Sequence, residues 1–267
     1  MQATPADQHR AASADARRRW TLPLWLQRLA LFLGLMLAWE AASHNWFAPE
    51  FGGRPSIFIA RFVSSIADGQ LLYHTYVTAS EMLTGLLLGT ASAIVAALLL
   101  GSGGRVGDLF RPYFVGLYAL PKITIAPLLI LWLGIGFGSK VTLVWLSTFL
   151  FIFFALDAGL RNPPRKQIEQ AKVMGASAFQ IALKVLLPSS MVWVFNGLKV
   201  AVPYSLLAAL GSEMVASTKG VGFLILQASQ VADTNGVFAY LIMIVLLTLL
   251  INAALGQFKR WALRWQA

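Results

Sequence analysis

The chain has 267 residues, of which 58% are hydrophobic and 12% are charged. A soluble domain carries about 25% charged residues, so this chain has about half the usual supply for a water-facing surface, and a lipid bilayer suits it better as a solvent. The sequence contains no cysteine and three scattered histidines. This excludes disulfide scaffolds and cysteine-based sites, and it argues against a His-rich metal site.

The N-terminal region combines a basic flank with an apolar run. Residues 1–20 are rich in Ala, Arg, Asp and Gln and are expected to form a disordered cytoplasmic tail, followed by a membrane domain over 21–267. A basic stretch before an apolar run also suits a signal peptide. The apolar stretch continues past Glu40 to Trp46 and further spans follow, which favours an uncleaved first helix.

Six segments have the length and composition needed to cross a bilayer, which takes about 20 helical residues for roughly 30 Å of hydrocarbon. The predicted spans are Leu24–Trp46, Tyr76–Leu100, Tyr113–Ile135, Lys140–Leu160, Met191–Gly211 and Val237–Leu255. Pro121 and Pro127 in the third span and Pro203 in the fifth predict bends or breaks. The predicted fold class is an all-α polytopic membrane protein with six transmembrane helices.

Lysine and arginine residues are distributed unequally between the two sides of the predicted bundle. With the N-terminus in the cytoplasm, four of them lie on the opposite side: Arg54, Arg61, Lys140 and Lys219. Fifteen lie on the cytoplasmic side: Arg10, Arg17, Arg18, Arg19, Arg28, Arg105, Arg111, Arg161, Arg165, Lys166, Lys172, Lys184, Lys259, Arg260 and Arg264. This bias predicts that both termini are cytoplasmic. The net charge of +10 therefore reflects short flanks rather than one basic face, which argues against nucleic-acid binding.

Small residues recur every four positions in two of the spans. The second span has Gly85, Gly89, Ala93, Ala97 and Gly101, and the fifth has Gly197, Ala201, Ser205 and Ala209. A spacing of four places each set on one helix face, where small side chains allow close approach in lipid. The pattern suits either a tight seam in a moving transporter or generic membrane packing.

The loop between the fourth and fifth spans, residues 161–190, has the pattern of a short helical hairpin. Asn162 can cap a first helix that has Pro163 and Pro164 in its first turn. The apolar side of this helix comprises Ile168, Ala171, Val173 and Met174.

The second half of the loop predicts a turn and a second short helix. Gly175 permits the turn and Ser177 can cap the helix, which Pro188 is expected to end. The residues predicted to point inward are Phe179, Ile181 and Val185. The hairpin would lie at the cytoplasmic surface.

This segment is similar to the cytoplasmic loop of bacterial ABC importer permeases. The family pattern is Glu-Ala-Ala, three residues, Gly, nine residues, Ile, one residue and Leu-Pro. The matching residues here, with every interval kept, are Glu169, Gln170, Ala171, Gly175, Val185, Leu187 and Pro188. Gln170 and Val185 are mild departures. The chain thus resembles the permease subunit of a type I, binding-protein-dependent importer.

The resemblance implies how such a permease is driven. In that family the hairpin fits a cleft on a cytoplasmic ATPase subunit, so Glu169, Ala171 and Gly175 would take part in docking; a surface hairpin without a partner is the alternative. The sequence has no Gly-x-x-x-x-Gly-Lys-Ser/Thr loop. ATP and Mg²⁺ are therefore expected on a partner chain, and this chain is expected to bind no cofactor or metal and to be no enzyme.

The resemblance also implies the partners and the location. The partners would be a second permease copy in a homodimer, two cytoplasmic ABC ATPase subunits, and a periplasmic or lipid-anchored substrate-binding protein. The assembly would lie in the bacterial inner membrane. Specificity would come largely from the binding protein.

Further motifs narrow the resemblance to the nitrate/sulfonate/taurine group of permeases. They are Pro55-Ser56-Ile57, Asp68–Leu71, Pro121–Gly134, Gly211–Met214 and Gly220–Ile225. Ser80-Glu81 and Pro121-Lys122 look closer to members for thiamine-pyrimidine or riboflavin-type heterocycles. The expected solute is one of these anions or heterocycles.

Four ionisable residues within the spans or close to their ends are candidates for the translocation path. They are Lys122, Glu81, Lys199 and Glu213. An ionisable side chain at the centre of a span costs about 2.5–3.5 kcal/mol on insertion scales and therefore suggests a functional site. Glu81 and Glu213 lie nearer the outer ends, where snorkelling would reduce this cost. The four residues either line the path or pair structurally, for example Lys122 with a glutamate, and they leave the charge of the substrate open.

Two other functions fit a six-span chain. An ion-coupled secondary transporter would show symmetric broken segments in two halves, and none is evident in the sequence. A membrane enzyme would need a catalytic cluster at one membrane face, which the scattered Glu81, Glu213 and histidines do not make.

Overall fold

The computed structural model describes residues 23–45, 52–100, 105–161 and 165–264, and no strand occurs within these ranges. Several sequence predictions lie outside the described residues: the disordered tail over 1–20, Trp46, Gly101, and the Asn162 cap with Pro163 and Pro164. The described helices are α1 (Leu24–Asn45), α2 (Pro55–Ala67), α3 (Gln70–Leu100), α4 (Arg105–Ala119), α5 (Ala126–Leu133), α6 (Phe137–Leu160), α7 (Arg165–Val173), α8 (Ala178–Ile181), α9 (Leu187–Val215), α10 (Val221–Gln230) and α11 (Thr234–Ala262).

The membrane spans of the structure follow the predicted set. By length and composition, α1, α3, α6, α9 and α11 can each cross a bilayer. The third predicted span is a bent pair, in which Val106–Ala119 of α4 and the segment Lys122–Leu133 meet at 91°; counted as one broken span, this pair is the sixth. Pro121 lies at the break, which confirms the predicted disruption there, whereas α9 continues through Pro203.

Two short apolar helices, α2 and α10, have no counterpart among the predicted spans. They contain 13 and 10 residues, too few to cross about 30 Å of hydrocarbon. Both contribute to the folded part of the chain: Arg61 of α2 forms a 2.7 Å ion pair with Asp233, the N-cap of α11, and Val221 and Leu224 of α10 are buried.

The described residues fall into two compact units, one ending at Ile57 and the other beginning at Phe58. Within the first unit, the carboxylate of Glu40 accepts hydrogen bonds from the backbone N–H of Ser56 at 3.0 Å and from its hydroxyl at 2.7 Å. The charge inside the first span is thus hydrogen-bonded to the segment that follows.

In the second unit, α6 is the central helix and packs along both α3 and α9. Gly85 and Gly89 of α3 allow the close approach, because an added Cβ would lie 2.5 Å from Val144 and 2.6 Å from Thr148 of α6. Ala93 and Ala97 of the same series are fully buried. On α9, Ala201, Ser205 and Ala209 are fully buried as well. The small residues therefore face the core seams of the bundle.

The predicted hairpin is present, with two corrections. Helix α7 ends at a turn where Gly175 has a φ of +78°, and α8 begins after Ser177 with a complete capping box to Gln180. Phe179 is not inward but 73% exposed, whereas Ile181 is buried. Pro188 does not end the helix either: a single π turn (Ala182–Leu186) joins α8 to α9, and Pro188 lies in the first turn of α9, where its missing N–H costs little.

Candidate functional site

The four candidate path residues fall into three places. Glu81 and Glu213 belong to a buried polar cluster, Lys122 lies at a cavity beside the break before α5, and Lys199 is exposed on α9. The structure thus separates the two lysines from the two glutamates.

We call Thr78, Glu81, Lys140, Glu213 and Ser217 the polar cluster; the first four are buried and Ser217 is partly buried. The ammonium of Lys140 donates hydrogen bonds to Glu81 Oε1 and to Ser217 Oγ, both at 2.7 Å. The side chain of Lys140 is 7% exposed and that of Glu81 is 2% exposed. Lys140 was expected to be a flanking charge but is a buried ion-pair partner. It occupies the structural role that the sequence suggested for Lys122.

The carboxylate of Glu213 joins the polar cluster to the segment after α9. It accepts hydrogen bonds from the hydroxyl of Thr78 and from the backbone N–H of Gly222, both at 2.7 Å. Thr78 in turn accepts from the N–H of Val221 at 2.8 Å. The predicted snorkelling of the two glutamates is wrong, because both side chains are buried inside the folded chain.

A histidine extends the same network. The Nδ1 atom of His74 accepts a hydrogen bond from the N–H of Gly220 at 2.9 Å, and its ring stacks on that of Phe223. Gly220 has a φ of +108°, a conformation that glycine adopts most readily. The segment 216–222 is thus held to α3 by backbone donors. Sequence reasoning missed Lys140, Thr78 and His74; the available signal was a lysine four residues into an apolar helix, which needs a partner at the same depth.

The second feature is an aromatic cavity of about 450 Å³. Its lining comprises Tyr118, Ala119, Leu120, Pro121, Lys122, Ile123, Ser147, Phe151, Tyr204, Leu207 and Ala208. The break between α4 and α5 forms one wall, and α6 and α9 supply the others. The cavity therefore lies where three of the spans meet.

Lys122 is held at this cavity by contacts to its own turn and to α6. Its ammonium donates to the carbonyl of Tyr118, which the end of α4 leaves without a helical partner. The same nitrogen is 4.7 Å from the ring centroid of Tyr118 and 5.7 Å from that of Phe151. These are cation–π distances.

The hairpin surface exposes both charged and apolar side chains. Val173 is 90% exposed and Met174 is 85% exposed, and both line an open groove together with Lys166, Glu169 and Gln170. This is unusual for apolar residues of their size in an otherwise polar helix.

The remaining motif residues of the loop have structural positions. Ala171 and Val185 are half-buried, and Pro188 lies in the first turn of α9. An added Cβ at Gly175 would meet nothing within 4 Å, so the turn alone requires glycine. Leu187 begins α9.

Comparison with known proteins identifies the class. Residues 85–264 match the family of binding-protein-dependent transport system inner membrane components, and the chain belongs to this family. It is therefore a multi-pass membrane transport permease of the ABC importer type rather than an enzyme, as the hairpin motif predicted.

Three relatives illustrate the range. A probable ABC transporter permease of Haemophilus influenzae is 35% identical over 67% of this chain and 73% of its own length. The riboflavin transport system permease RibX of Chloroflexus aurantiacus is 32% identical over 92% of this chain and 90% of its own length. The putative aliphatic sulfonates transport permease SsuC of Bacillus subtilis is 27% identical over 79% and 77% respectively.

A solved structure shares the fold. An inward-facing MetNI methionine ABC transporter chain aligns with a TM-score of 0.64 and 20% identity, covering 72% of this chain and 96% of that one. The all-α permease fold predicted from the sequence is thus confirmed.

Proposed function

We propose that this chain is the membrane passage of an ATP-driven importer, and that it moves a small solute from the periplasm to the cytoplasm. A periplasmic or lipid-anchored binding protein delivers the solute, and separate ATPase subunits bind ATP and Mg²⁺. The observation that carries this proposal is the hairpin: it presents exposed Val173 and Met174 beside Glu169, exposes Phe179 as well, and leads directly into a core helix.

The exposed apolar residues suit a protein partner. Val173, Met174 and Phe179 lie on a hairpin whose first helix carries six polar or charged side chains among its nine residues. Apolar patches rimmed by polar residues mark protein interaction sites. A cleft on an ATPase subunit would cover these side chains, while Glu169 and Gln170 at the groove would orient the contact.

The connection from the hairpin to the bundle suits the transmission of movement. The capping box at Ser177 and Gln180 fixes the start of α8, and the chain then runs through the π turn into α9 without a flexible break. Helix α9 packs along α6, the central helix. A displacement of the hairpin would therefore displace the end of a core helix rather than a loose loop.

The working unit is a homodimer of this chain with two ATPases, in the bacterial inner membrane and with both termini in the cytoplasm. Closure of the ATPases on ATP would draw the two hairpins together and favour an outward-open bundle, and hydrolysis would restore the inward-open one. ATP acts by binding the two states with different affinity, which shifts their populations.

Co-purification tests the proposal. The tagged chain is extracted from its host in mild detergent, and the proteins that accompany it are identified. We expect a stoichiometric ATPase with the native chain, and its loss in a Val173→Asp/Met174→Asp variant, since two charges would then enter the apolar contact. The matched control is Val231→Asp, which changes a side chain that is 73% exposed outside the hairpin.

Two other outcomes of the co-purification would contradict parts of the proposal. An ATPase that stays with the double variant would remove the hairpin groove from the docking surface. No ATPase with the native chain, in several mild detergents, would contradict the importer and favour ion-coupled secondary transport.

A further inference from the structure

The aromatic cavity coincides with the one sharp break among the described membrane helices. Irregular backbone at membrane depth is tolerated where it is buried in protein or lines a water-filled cavity, because its N–H and C=O groups need partners. The break between α4 and α5 contains Pro121 and exposes it together with Ile123 at the cavity wall. A cavity that a polar ligand can enter would provide hydrogen-bond partners for the backbone groups at this break.

The charge at the cavity has unused capacity for binding. An ammonium has three donors, and that of Lys122 uses one on the carbonyl of Tyr118. Among the described residues, no carboxylate lies within ion-pair distance of Lys122. Its positive charge is accompanied by the rings of Tyr118 and Phe151. It is therefore placed to donate to an acceptor on a guest, and it would repel a cationic one.

The aromatic walls of the cavity favour flat ligands. The rings of Phe151 and Tyr204 are 4.5 Å apart between centroids, and Tyr118 packs edge-on against Phe151 at 5.3 Å. Aromatic faces of this kind bind flat rings by stacking. The volume of about 450 Å³ lies in the range of pockets for small organic ligands.

The same walls are unsuited to a small, strongly hydrated anion. The hydroxyl of Ser147 already donates to the carbonyl of Leu143 in its own helix. A compact sulfonate would exchange its hydration shell for one ammonium and a largely carbon surface, and a polar group buried without partners is costly. A flat ring system loses less free energy when it leaves water, because stacking on the aromatic walls replaces the contacts that its faces made with water.

We infer that the aromatic cavity around Lys122 is the site where the membrane domain contacts its transported solute, and that this solute is a planar heterocycle with a carbonyl or anionic edge. Lys122 binds that edge, and Phe151 and Tyr204 bind the ring face. This inference rests on the proposed import function and assigns its substrate class.

Equilibrium binding to the full-length chain in lipid nanodiscs tests the inference, with radiolabelled riboflavin as the heterocyclic probe and taurine as the sulfonate probe. We expect riboflavin to bind and taurine not to. Loss of one charge-assisted hydrogen bond predicts that Lys122→Met weakens riboflavin binding by about tenfold or more. The matched control, Lys172→Met, removes an exposed lysine of α7 and should bind as the native chain does.

A second variant separates stacking from charge. Tyr204→Leu keeps the cavity apolar but removes one ring, so it should weaken riboflavin binding while leaving the melting temperature unchanged. Tyr204 is 49% exposed, so its truncation leaves no core void.

Three results would overturn the inference: taurine binding that depends on Lys122, riboflavin binding that is equal in all variants, or no binding of riboflavin and of a pyrimidine and a pyridine carboxylate used as smaller planar probes. The Lys122→Met chain is also checked for its ATPase. If the ATPase still co-purifies, the import function stands and only the site is lost.

Discussion

Lys140 supplies the positive charge that pairs with a buried carboxylate of the polar cluster. The polar cluster contains two buried carboxyl groups, Glu81 and Glu213, and one ammonium. The Lys140–Glu81 ion pair is almost completely buried. Breaking such a pair by removing one partner is strongly destabilising, because it leaves an uncompensated charge.

Replacement of Lys140 by Met should therefore destabilise the protein by about 3–5 kcal/mol, the usual cost of breaking a buried pair. Thermal unfolding of the purified chain in detergent, followed by size-exclusion chromatography, measures the effect. Lys199→Met is the control and should keep the native melting temperature. A Lys140→Met/Glu81→Leu double variant should recover part of the loss, since it removes the orphaned carboxylate. An unchanged melting temperature in Lys140→Met would contradict this account of the cluster.

Gly175 has a different and purely conformational requirement. Its φ of +78° lies in the left-handed region, which costs other L-residues roughly 1–2 kcal/mol, while an added Cβ would have open space around it. We expect Gly175→Ala to weaken ATPase association by between about 5-fold and 30-fold, which corresponds to that strain, and to leave the melting temperature of the bundle unchanged.

Asn at the same position provides the matched comparison, because Asn visits the left-handed region more readily than Ala. Gly175→Asn should retain more of the ATPase than Gly175→Ala in quantitative co-purification. Equal loss in both would mean that the size of the side chain, rather than the backbone, decides the contact.

At the scale of elements, the seam between α3 and α6 depends on the absence of side chains at Gly85 and Gly89. Gly89→Ala should lower stability by about 1–3 kcal/mol, the typical cost of overpacking, because the new methyl group would lie 2.6 Å from the Cβ of Thr148. Gly116→Ala in α4 is the control, since its Cβ would meet nothing within 4 Å. It should leave stability unchanged or raise it, because Ala is the better helix former. The same sign of change in both variants would refute a steric seam.

The sequence predicted which helices form better than it predicted where each helix ends. Apolar length located the spans, and the four-residue spacing of small residues indicated the buried faces, because both depend on local composition. The continuation through Pro188 was not predictable in this way. It depends on the π turn before α9, which places Pro188 in the first turn of that helix, where proline is tolerated.

The candidate sites show the same limit. The hairpin motif was readable because its residues are close together in the chain. The partner of Glu81 was not readable from the sequence, because Lys140 is 59 positions away. The depth of Lys140 in the bundle also depends on how α3 and α6 align. The aromatic walls around Lys122 likewise come from α4, α6 and α9, so the sequence could suggest the lysine but not the cavity.

For the whole molecule, the lysine and arginine bias predicts which end of the bundle faces the cytoplasm, and the absence of cysteine makes this directly measurable. Phe179 on the hairpin is 73% exposed, and Thr218 in the segment after α9 is exposed as well. Each can be replaced singly by cysteine in the otherwise cysteine-free chain.

A membrane-impermeant maleimide should then label Thr218→Cys in intact spheroplasts, and it should label Phe179→Cys only after permeabilisation. The unmodified chain reports the background, since it has no thiol. The reverse pattern would place the hairpin outside the cell, where no ATP-driven partner could reach it. Because α9 connects the hairpin to the segment that carries Thr218, opposite labelling of the two sites also requires that α9 crosses the membrane, so one experiment tests both the orientation of the chain and the geometry on which coupling depends.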